Sequence, residues 1–198
     1  MALTKISNNS LSAISSLPAS IPTGALTLLS TQTASASASI EFTSGIDSTY
    51  DSYVFEFINI HPASSSMFAF QASTNSGSSY GVTATTTFFR GQQTEAGATA
   101  SVAYDTSMDL AQSTSFIRLG RPILTDNDAS LSGRLQIFNP SSDTFVKHYI
   151  YNNSVMGSFC QNAFGAGYFN TTNVINAFQF KIESGNIDDG IIKLYGVS

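Results

Sequence analysis

Residues 53–73, YVFEFINIHPASSSMFAFQAS, decide the fold class of this chain. The first part, Tyr53–Ile60, is apolar on both faces of an extended chain, which is typical of a central strand. Pro62 ends this strand, because proline has no amide hydrogen to donate to a β-ladder. The last part, Met67–Ser73, places two phenylalanines on one face of a second strand. The stretch therefore predicts two well-buried strands joined by a turn.

Strand patterns continue on both sides of this stretch, at a spacing of roughly 8–12 residues that is typical of a β-sandwich or jelly roll. They predict nine or ten short strands and no internal repeat. We therefore expect an all-β protein whose residues 25–198 form a single jelly-roll-like antiparallel β-sandwich. The further predicted strands lie at Leu26–Thr31, 34–42, Gly81–Arg90, Thr114–Leu119, 131–137, Phe145–Tyr151, Val174–Glu183 and Ile191–Val197.

The segments between these strands have weaker patterns. Gly91–Gly97 is interpreted as a loop, and Tyr104–Ala111 as holding one helical turn. Met156–Asn170 is rich in glycine and phenylalanine and fits no single element. The last two strands are predicted to form a closing hairpin around 184–190, SGNIDDG.

Residues 1–24 differ from the rest of the chain and predict a docking arm. Apolar side chains stand there in a background of serine and asparagine, before Pro18, Pro22 and Gly24. We expect an extended or short-helical arm, since so short a helix is not stable alone in water. It would gain structure by docking on a neighbour; the alternative is a tail without fixed structure. The expected docking residues are Leu3, Ile6, Leu11, Ile14 and Leu17.

Charge is scarce in this chain. Only 11% of its residues are charged, against roughly 25% in an average globular protein. The 32 serines, 20 threonines and 13 asparagines make up about a third of the sequence. With a net charge of −5 and no basic cluster, we expect no nucleic-acid partner. No apolar run approaches the roughly 20 residues that span a bilayer, so we expect no membrane partner.

Candidate catalytic and metal-binding residues are few. His61 and His148 lie in no nucleophile motif, and we interpret both as structural. Cys160, the only cysteine, is expected to be a small buried residue. The run 126–128, DND, lacks the glycine and glutamate of an EF-hand and is interpreted as a turn. Gly165-Ala166-Gly167 lacks the lysine of a phosphate loop. We therefore expect no metal, no cofactor and no enzymatic activity.

Sugar binding is the recognition function that the composition leaves open. Sandwich folds commonly carry lectin-like sites, but this chain has no tryptophan to stack on a sugar ring. Tyrosines would have to replace it. The candidates for glycan contact are Tyr50, Tyr80, Tyr104 and Tyr168, with Tyr53 as a further tyrosine of the same kind.

Three blocks of the sequence resemble virion structural proteins of tailed bacteriophages, especially marine ones. Leu3–Pro18 is similar to the lead-in of such proteins, and Ile40–Tyr80 is similar to a phage structural β-module. Ser184–Ser198, with its G-x-I-x-L-Y-G close, resembles that family's terminal hairpin. The residues that match its S-T-x-x-G-S-x-Y turn are Ser73, Thr74, Gly77, Ser78 and Tyr80.

This resemblance implies a role on the exterior of a virion and no catalytic residues. We expect a capsid decoration or cement protein, or a protein associated with the tail or its fibres. Its partners would be other virion proteins and further copies of itself, with a trimer as one expectation by analogy at the level of fold. The first alternative is a receptor-binding module at a fibre tip that holds host surface glycan. A polysaccharide-degrading enzyme and a bacterial surface domain are weaker alternatives.

Overall fold

The computed structural model describes residues 26–197, and within this range all regular structure is β-strand. No helix that could cross a membrane is found in the described range. The arm predicted for residues 1–24 lies outside the described residues. The strands are β1 (Leu26–Ser37), β2 (Ile40–Phe42), β3 (Ser52–Pro62), β4 (Phe68–Ser73), β5 (Ala84–Thr86), β6 (Phe89–Thr94), β7 (Ala100–Tyr104), β8 (Ile117–Arg118), β9 (Ser130–Phe138), β10 (Lys147–Met156), β11 (Phe159–Phe169), β12 (Ala177–Ile182) and β13 (Ile187–Val197).

Eight of these strands form a jelly roll. One sheet contains the order β1-β13-β3-β9, and the other has the order β2-β12-β4-β8, with antiparallel pairing throughout. Strands that follow each other in this set of eight lie in different sheets, at the same place in the strand order of each sheet. This holds for β1 and β2, β3 and β4, β8 and β9, and β12 and β13. This is the strand order of a double-sheet jelly roll, so the predicted all-β sandwich is confirmed.

The remaining strands extend the first sheet on one side. Strands β5, β6 and β7 are inserted between β4 and β8, and β10 and β11 between β9 and β12. Beyond β9 the order continues β10-β11-β6-β7, and β5 also pairs with β11. The extension thus projects past the last strand of the smaller sheet, and loops cover its inner side. Asn153, for example, donates from Nδ2 to the carbonyl oxygen of Leu119.

The core between the two sheets is aromatic. Phe180 on β12 lies at its centre, with ring centroids 4.9 Å from Phe55 and 5.4 Å from Phe57 on β3. Phe68 and Phe70 on β4 flank it at 5.9 and 6.1 Å. All five side chains are buried. The stretch from which the strand prediction started therefore supplies most of the packing around Phe180.

The predicted closing hairpin is wrong. Strands β12 and β13 belong to different sheets, and β13 pairs with β1 and β3 instead. Most of the predicted turn, from Ile187 to Gly190, is the start of β13. In a jelly roll, neighbours in sequence cross between sheets, so a short connection does not mean a hairpin.

Two local predictions are corrected as well. Gly91–Thr94 belongs to β6 rather than to a loop, and the turn of the β6–β7 hairpin begins at Thr94, whose amide donates to the Thr99 carbonyl oxygen. Residues 104–111 hold turns and no helical turn. There, the Asp105 carboxylate accepts hydrogen bonds from the amide and hydroxyl of Ser107, which favours a turn over a helix.

Candidate functional site

The outer side of strands β10, β11, β6 and β7 forms a regular surface at one end of the larger sheet. On β10 and β11 the side chains alternate regularly between buried and outward-facing. The register aligns them across strands, so that Phe164 lies opposite Phe89, and Phe89 lies opposite Tyr104. We call this surface the extension face. It consists of Phe89, Gly91, Gln93, Ala100, Val102, Tyr104, His148, Ile150, Asn152, Ser154, Met156, Cys160, Asn162, Phe164, Ala166 and Tyr168.

The extension face carries no aspartate, glutamate, lysine or arginine. Charged side chains stand only at its margin: Arg134 lies opposite Asn152 in the register of β9 and β10. Asp109 lies at the other end and accepts a hydrogen bond from the Tyr104 hydroxyl, and this bond raises the pKa of Tyr104. The surface is thus polar through amides and hydroxyls and otherwise apolar.

Aromatic side chains form a row across the middle of this face. The rings of Phe89 and Phe164 stack with centroids 5.6 Å apart and planes inclined by 10°. Tyr104 meets Phe89 edge to face at 5.0 Å. Beside this row Val102 is 81% exposed and Ile150 is 49% exposed. The phenylalanines, Val102 and Ile150 were not among the residues predicted for a site, although the Phe-rich strand pattern around 88–89 is visible in the sequence.

Cys160 is exposed, contrary to the prediction that it is buried. It lies on the outward side of β11, in register with Gln93 of β6 and Met156 of β10. The sequence pattern shows that side chains alternate between the two sides of β11, but it does not show which side is buried. In the structure the buried side carries Gln161 and Ala163. The thiol therefore belongs to the extension face.

The four tyrosines proposed for glycan contact lie at different places on the structure. Tyr104 and Tyr168 lie on the extension face, where Tyr168 is beside His148 with ring centroids 6.2 Å apart. Tyr50 packs on the margin of the core, edge to face with Tyr53 at 5.9 Å. Tyr80 lies in a separate cleft. The four do not form one site.

The cleft at Tyr80 is lined by hydroxyl and amide groups and has a volume of about 390 Å³. Burial and the nearby Glu41 carboxylate raise the pKa of Tyr80 to about 12, so its hydroxyl stays protonated at neutral pH. The Tyr80 hydroxyl itself is buried, so the other hydroxyl and amide groups of the lining are the ones that can exchange hydrogen bonds with the hydroxyls of a neutral sugar. The lining residues are Thr74, Ser79, Tyr80, Gly81, Val82, Thr83, Asn170, Thr171 and Asn173.

A second cleft brings His61 near three aspartates, Asp128, Asp188 and Asp189. The Nδ1 atom of His61 lies 2.7 Å from the Ala129 carbonyl oxygen, and this contact fixes the orientation of its ring. Within residues 26–197 no group of three or more histidine, cysteine or acidic side chains is arranged to hold a metal ion. The predicted turn at 126–128 is present, since the amide of Ala129 donates to the carbonyl oxygen of Asp126.

The five residues proposed for arm docking, from Leu3 to Leu17, lie outside the described residues. No protein-family model, no curated protein and no solved structure matches this chain. The functional argument therefore depends on the fold and its surfaces.

Proposed function

We propose that this chain is a structural subunit on the exterior of a bacteriophage virion. It acts without catalysis, as a capsid decoration or cement protein or as an accessory of the tail or its fibres. Other virion proteins are its partners, and copies of the chain associate with one another, a trimer being one arrangement. The N-terminal arm attaches each copy to its neighbour in the particle.

The observation that carries this proposal is a jelly roll widened into a broad, uncharged face. The jelly roll is a common fold of viral capsid proteins and of lectins. Five further strands join one of its sheets, and the extension face that four of them form carries no charged side chain. Copies with such surfaces can pack closely in large numbers, because no like charges meet.

The start of the described chain fits attachment through an arm. Strand β1 begins at Leu26 on the edge of the larger sheet, so the preceding 25 residues depart from an edge. Leu26 and Leu28 are each 54% exposed there, which places apolar surface where the arm joins the domain. Residues 1–25 reach at most about 90 Å when fully extended, enough to cross a neighbouring subunit.

The arm is tested by replacing its five docking residues, Leu3, Ile6, Leu11, Ile14 and Leu17, with serine in the full-length chain. We expect loss of incorporation into particles, because burial of these side chains would offset the entropy lost when the arm orders. Incorporation is measured as the copies of the chain per purified particle. The domain should unfold at the same urea concentration as the unchanged protein.

The matched control replaces five polar arm residues with alanine: Ser7, Ser10, Ser12, Ser15 and Ser16. It changes as many positions and keeps the apolar ones, so incorporation should persist. If the variant without apolar arm residues still loads as the unchanged protein does, attachment through the arm is excluded. Cryo-electron microscopy of the particle then places the domain on the capsid or on the tail.

Glycan binding at a fibre tip is the second candidate function, and the Tyr80 cleft favours it. Its hydroxyl and amide lining offers hydrogen bonds without charge, and Tyr80 supplies an aromatic ring. A glycan array with the full-length chain tests this function, with Asn173→Ala, in the cleft wall, as the test variant. Binding that this variant abolishes would establish the receptor role, and shortened glycan products would indicate an enzyme. An array without signal would remove this candidate.

A further inference from the structure

We propose that the extension face is the surface through which two copies of this chain associate, each packing the face against its equivalent about a two-fold axis. The inference rests on the self-association proposed above and names the surface that carries it. It does not depend on the arm or on the identity of the particle.

The face exposes a contiguous apolar patch. Val102, Ile150 and Tyr104 are 81%, 49% and 43% exposed, and Phe89 and Phe164 are each 38% exposed. Together these five side chains leave roughly 400 Å² in contact with water, within the ~300–600 Å² of the largest patch on a typical monomer, which is often functional. They lie on neighbouring strands and are not scattered.

The lack of charge on the extension face favours a second copy of the chain as its partner. The molecule carries a net charge of −5, so two copies repel each other at long range, and a contact through an uncharged surface adds no like-charge repulsion of its own. The sixteen residues of the extension face contain no formally charged side chain at pH 7 with histidine neutral. A two-fold contact uses the same surface on both copies, so that residue i of one copy meets residue j of the other and residue j meets residue i; every such pair on this face is uncharged. A strongly basic or acidic partner would find no complementary charge.

The shape of the face also fits its own copy. Strands β10 and β11 have 10 and 11 residues, and β6 and β7 have 6 and 5. The face is therefore about 30 Å long on one side and about 17–20 Å long on the other, and its four strands make it about 15 Å wide. This flat area is below the ~600 Å² per partner of a small specific interface, so we expect an association that dissociates on dilution. Two sheets pack face to face at about 10 Å by interdigitating such side chains. A glycan is a poorer occupant, because Val102 and Ile150 offer no hydrogen-bonding groups to sugar hydroxyls.

The test is the oligomeric state of the full-length chain, measured by sedimentation velocity from about 1 to 100 µM, the range in which a small interface dissociates. One variant is Val102→Asp and another is Ile150→Asp; each places one negative charge per copy, hence two in the dimer, inside the uncharged contact. We expect each to raise the dissociation constant at least tenfold. Both positions are outward-facing, and the circular dichroism spectrum verifies the fold. The matched control is Thr33→Asp, which adds the same charge to an exposed residue of β1 at the other end of the same sheet; its dissociation constant should equal that of the unchanged protein.

Cys160 provides an independent readout, because it is the only cysteine and lies on the face. Its reaction with a maleimide should be several times slower per molecule at 100 µM than at 1 µM, and Val102→Asp should abolish this difference. If the chain associates but neither Val102→Asp nor Ile150→Asp weakens the association, the face is wrong and self-association stands. If the unchanged chain is monomeric at every concentration, both are wrong, and the virion role is then judged by particle incorporation alone. Glycan binding by a monomer that Val102→Asp abolishes would assign the face to a receptor instead.

Discussion

Phe180 shows how one residue joins the two sheets of the sandwich. Its ring contacts aromatic side chains of β3 from the opposite sheet and of β4 from its own. It is fully buried. Phe180→Ala would remove those contacts and leave a cavity that the strands on both sides cannot close. We expect the free energy of unfolding to fall by about 3–5 kcal/mol, measured by urea denaturation at pH 7.

The control is Phe145→Ala, at a phenylalanine that is 69% exposed before β10. It deletes the same atoms from a side chain largely in water, so its effect should stay within about 0.5 kcal/mol. A loss below about 1 kcal/mol for Phe180→Ala would mean that the sheets do not pack through this residue.

Strand β11 can lie close to its neighbours in the sheet because it contains two glycines. Gly167 lies opposite Tyr149, and Gly165 lies opposite Tyr151, in the register of β10 and β11. A β-carbon at Gly167 would collide with the Tyr149 hydroxyl and lie 2.6 Å from the Thr85 carbonyl oxygen. The glycines of Gly165-Ala166-Gly167, which resemble an incomplete phosphate loop in the sequence, therefore leave room for the inward-facing side chains of Tyr151 and Tyr149.

We expect Gly167→Ala to lower the free energy of unfolding by about 1–3 kcal/mol, since the backbone of β5 cannot yield to the new methyl group without strain. The measurement is thermal or urea unfolding. Gly91→Ala in β6 is the matched control, because a β-carbon there meets nothing within 4 Å. It should be neutral or stabilise slightly, as alanine restricts the unfolded chain more than glycine does. Equal effects of the two substitutions would contradict this account.

The elements differ in how far the sequence predicted them. Strands β3 and β4 were predicted within one or two residues, because continuous apolar runs and Pro62 mark them. Strand β11 was not assigned, because Gly165 and Gly167 remove side chains from the alternation. The hairpin at β12–β13 was wrong because pairing partners far apart in sequence leave no local signal. For the same reason the extension face could not be predicted: four strands contribute to it.

At the scale of the whole molecule, three tyrosines are buried in the core, Tyr53, Tyr149 and Tyr151, and their burial makes the stability of the fold sensitive to alkali. Burial raises the pKa of Tyr149 and of Tyr151 far above the usual value near 10, and it also raises the pKa of Tyr53. The Tyr149 hydroxyl has no hydrogen-bond partner among the described residues that would compensate for charge. The folded chain therefore keeps these protons at a pH where the unfolded chain releases them.

This difference in bound protons makes the folded state less stable at high pH. Above pH 10 the unfolded state binds fewer protons than the folded state, so stability falls as pH rises, by about 1.4 kcal/mol per pH unit for each such tyrosine. Lys147 acts in the opposite direction. Its Nζ donates to the carbonyl oxygens of Phe145 and Thr171, and burial lowers its pKa, so it favours folding as pH rises toward its unfolded value near 10.5. One lysine offsets only part of the effect of several tyrosines.

We therefore expect the free energy of unfolding to be nearly constant from pH 7 to 9 and to fall steeply between pH 10 and 12. Urea denaturation at each pH, with reductant to protect Cys160, measures this.

The double variant Tyr149→Phe, Tyr151→Phe keeps both rings and removes both ionisable hydroxyls, so between pH 10 and 11 it should lose about 2–3 kcal/mol less than the unchanged protein. The single variant Tyr149→Phe should change stability at pH 7 by less than about 1 kcal/mol, because the hydroxyl it removes is buried without a partner. If the double variant is as sensitive to alkali as the unchanged chain, the rings of β10 are not buried in this way, and the covering of the sheet extension by its loops would have to be revised.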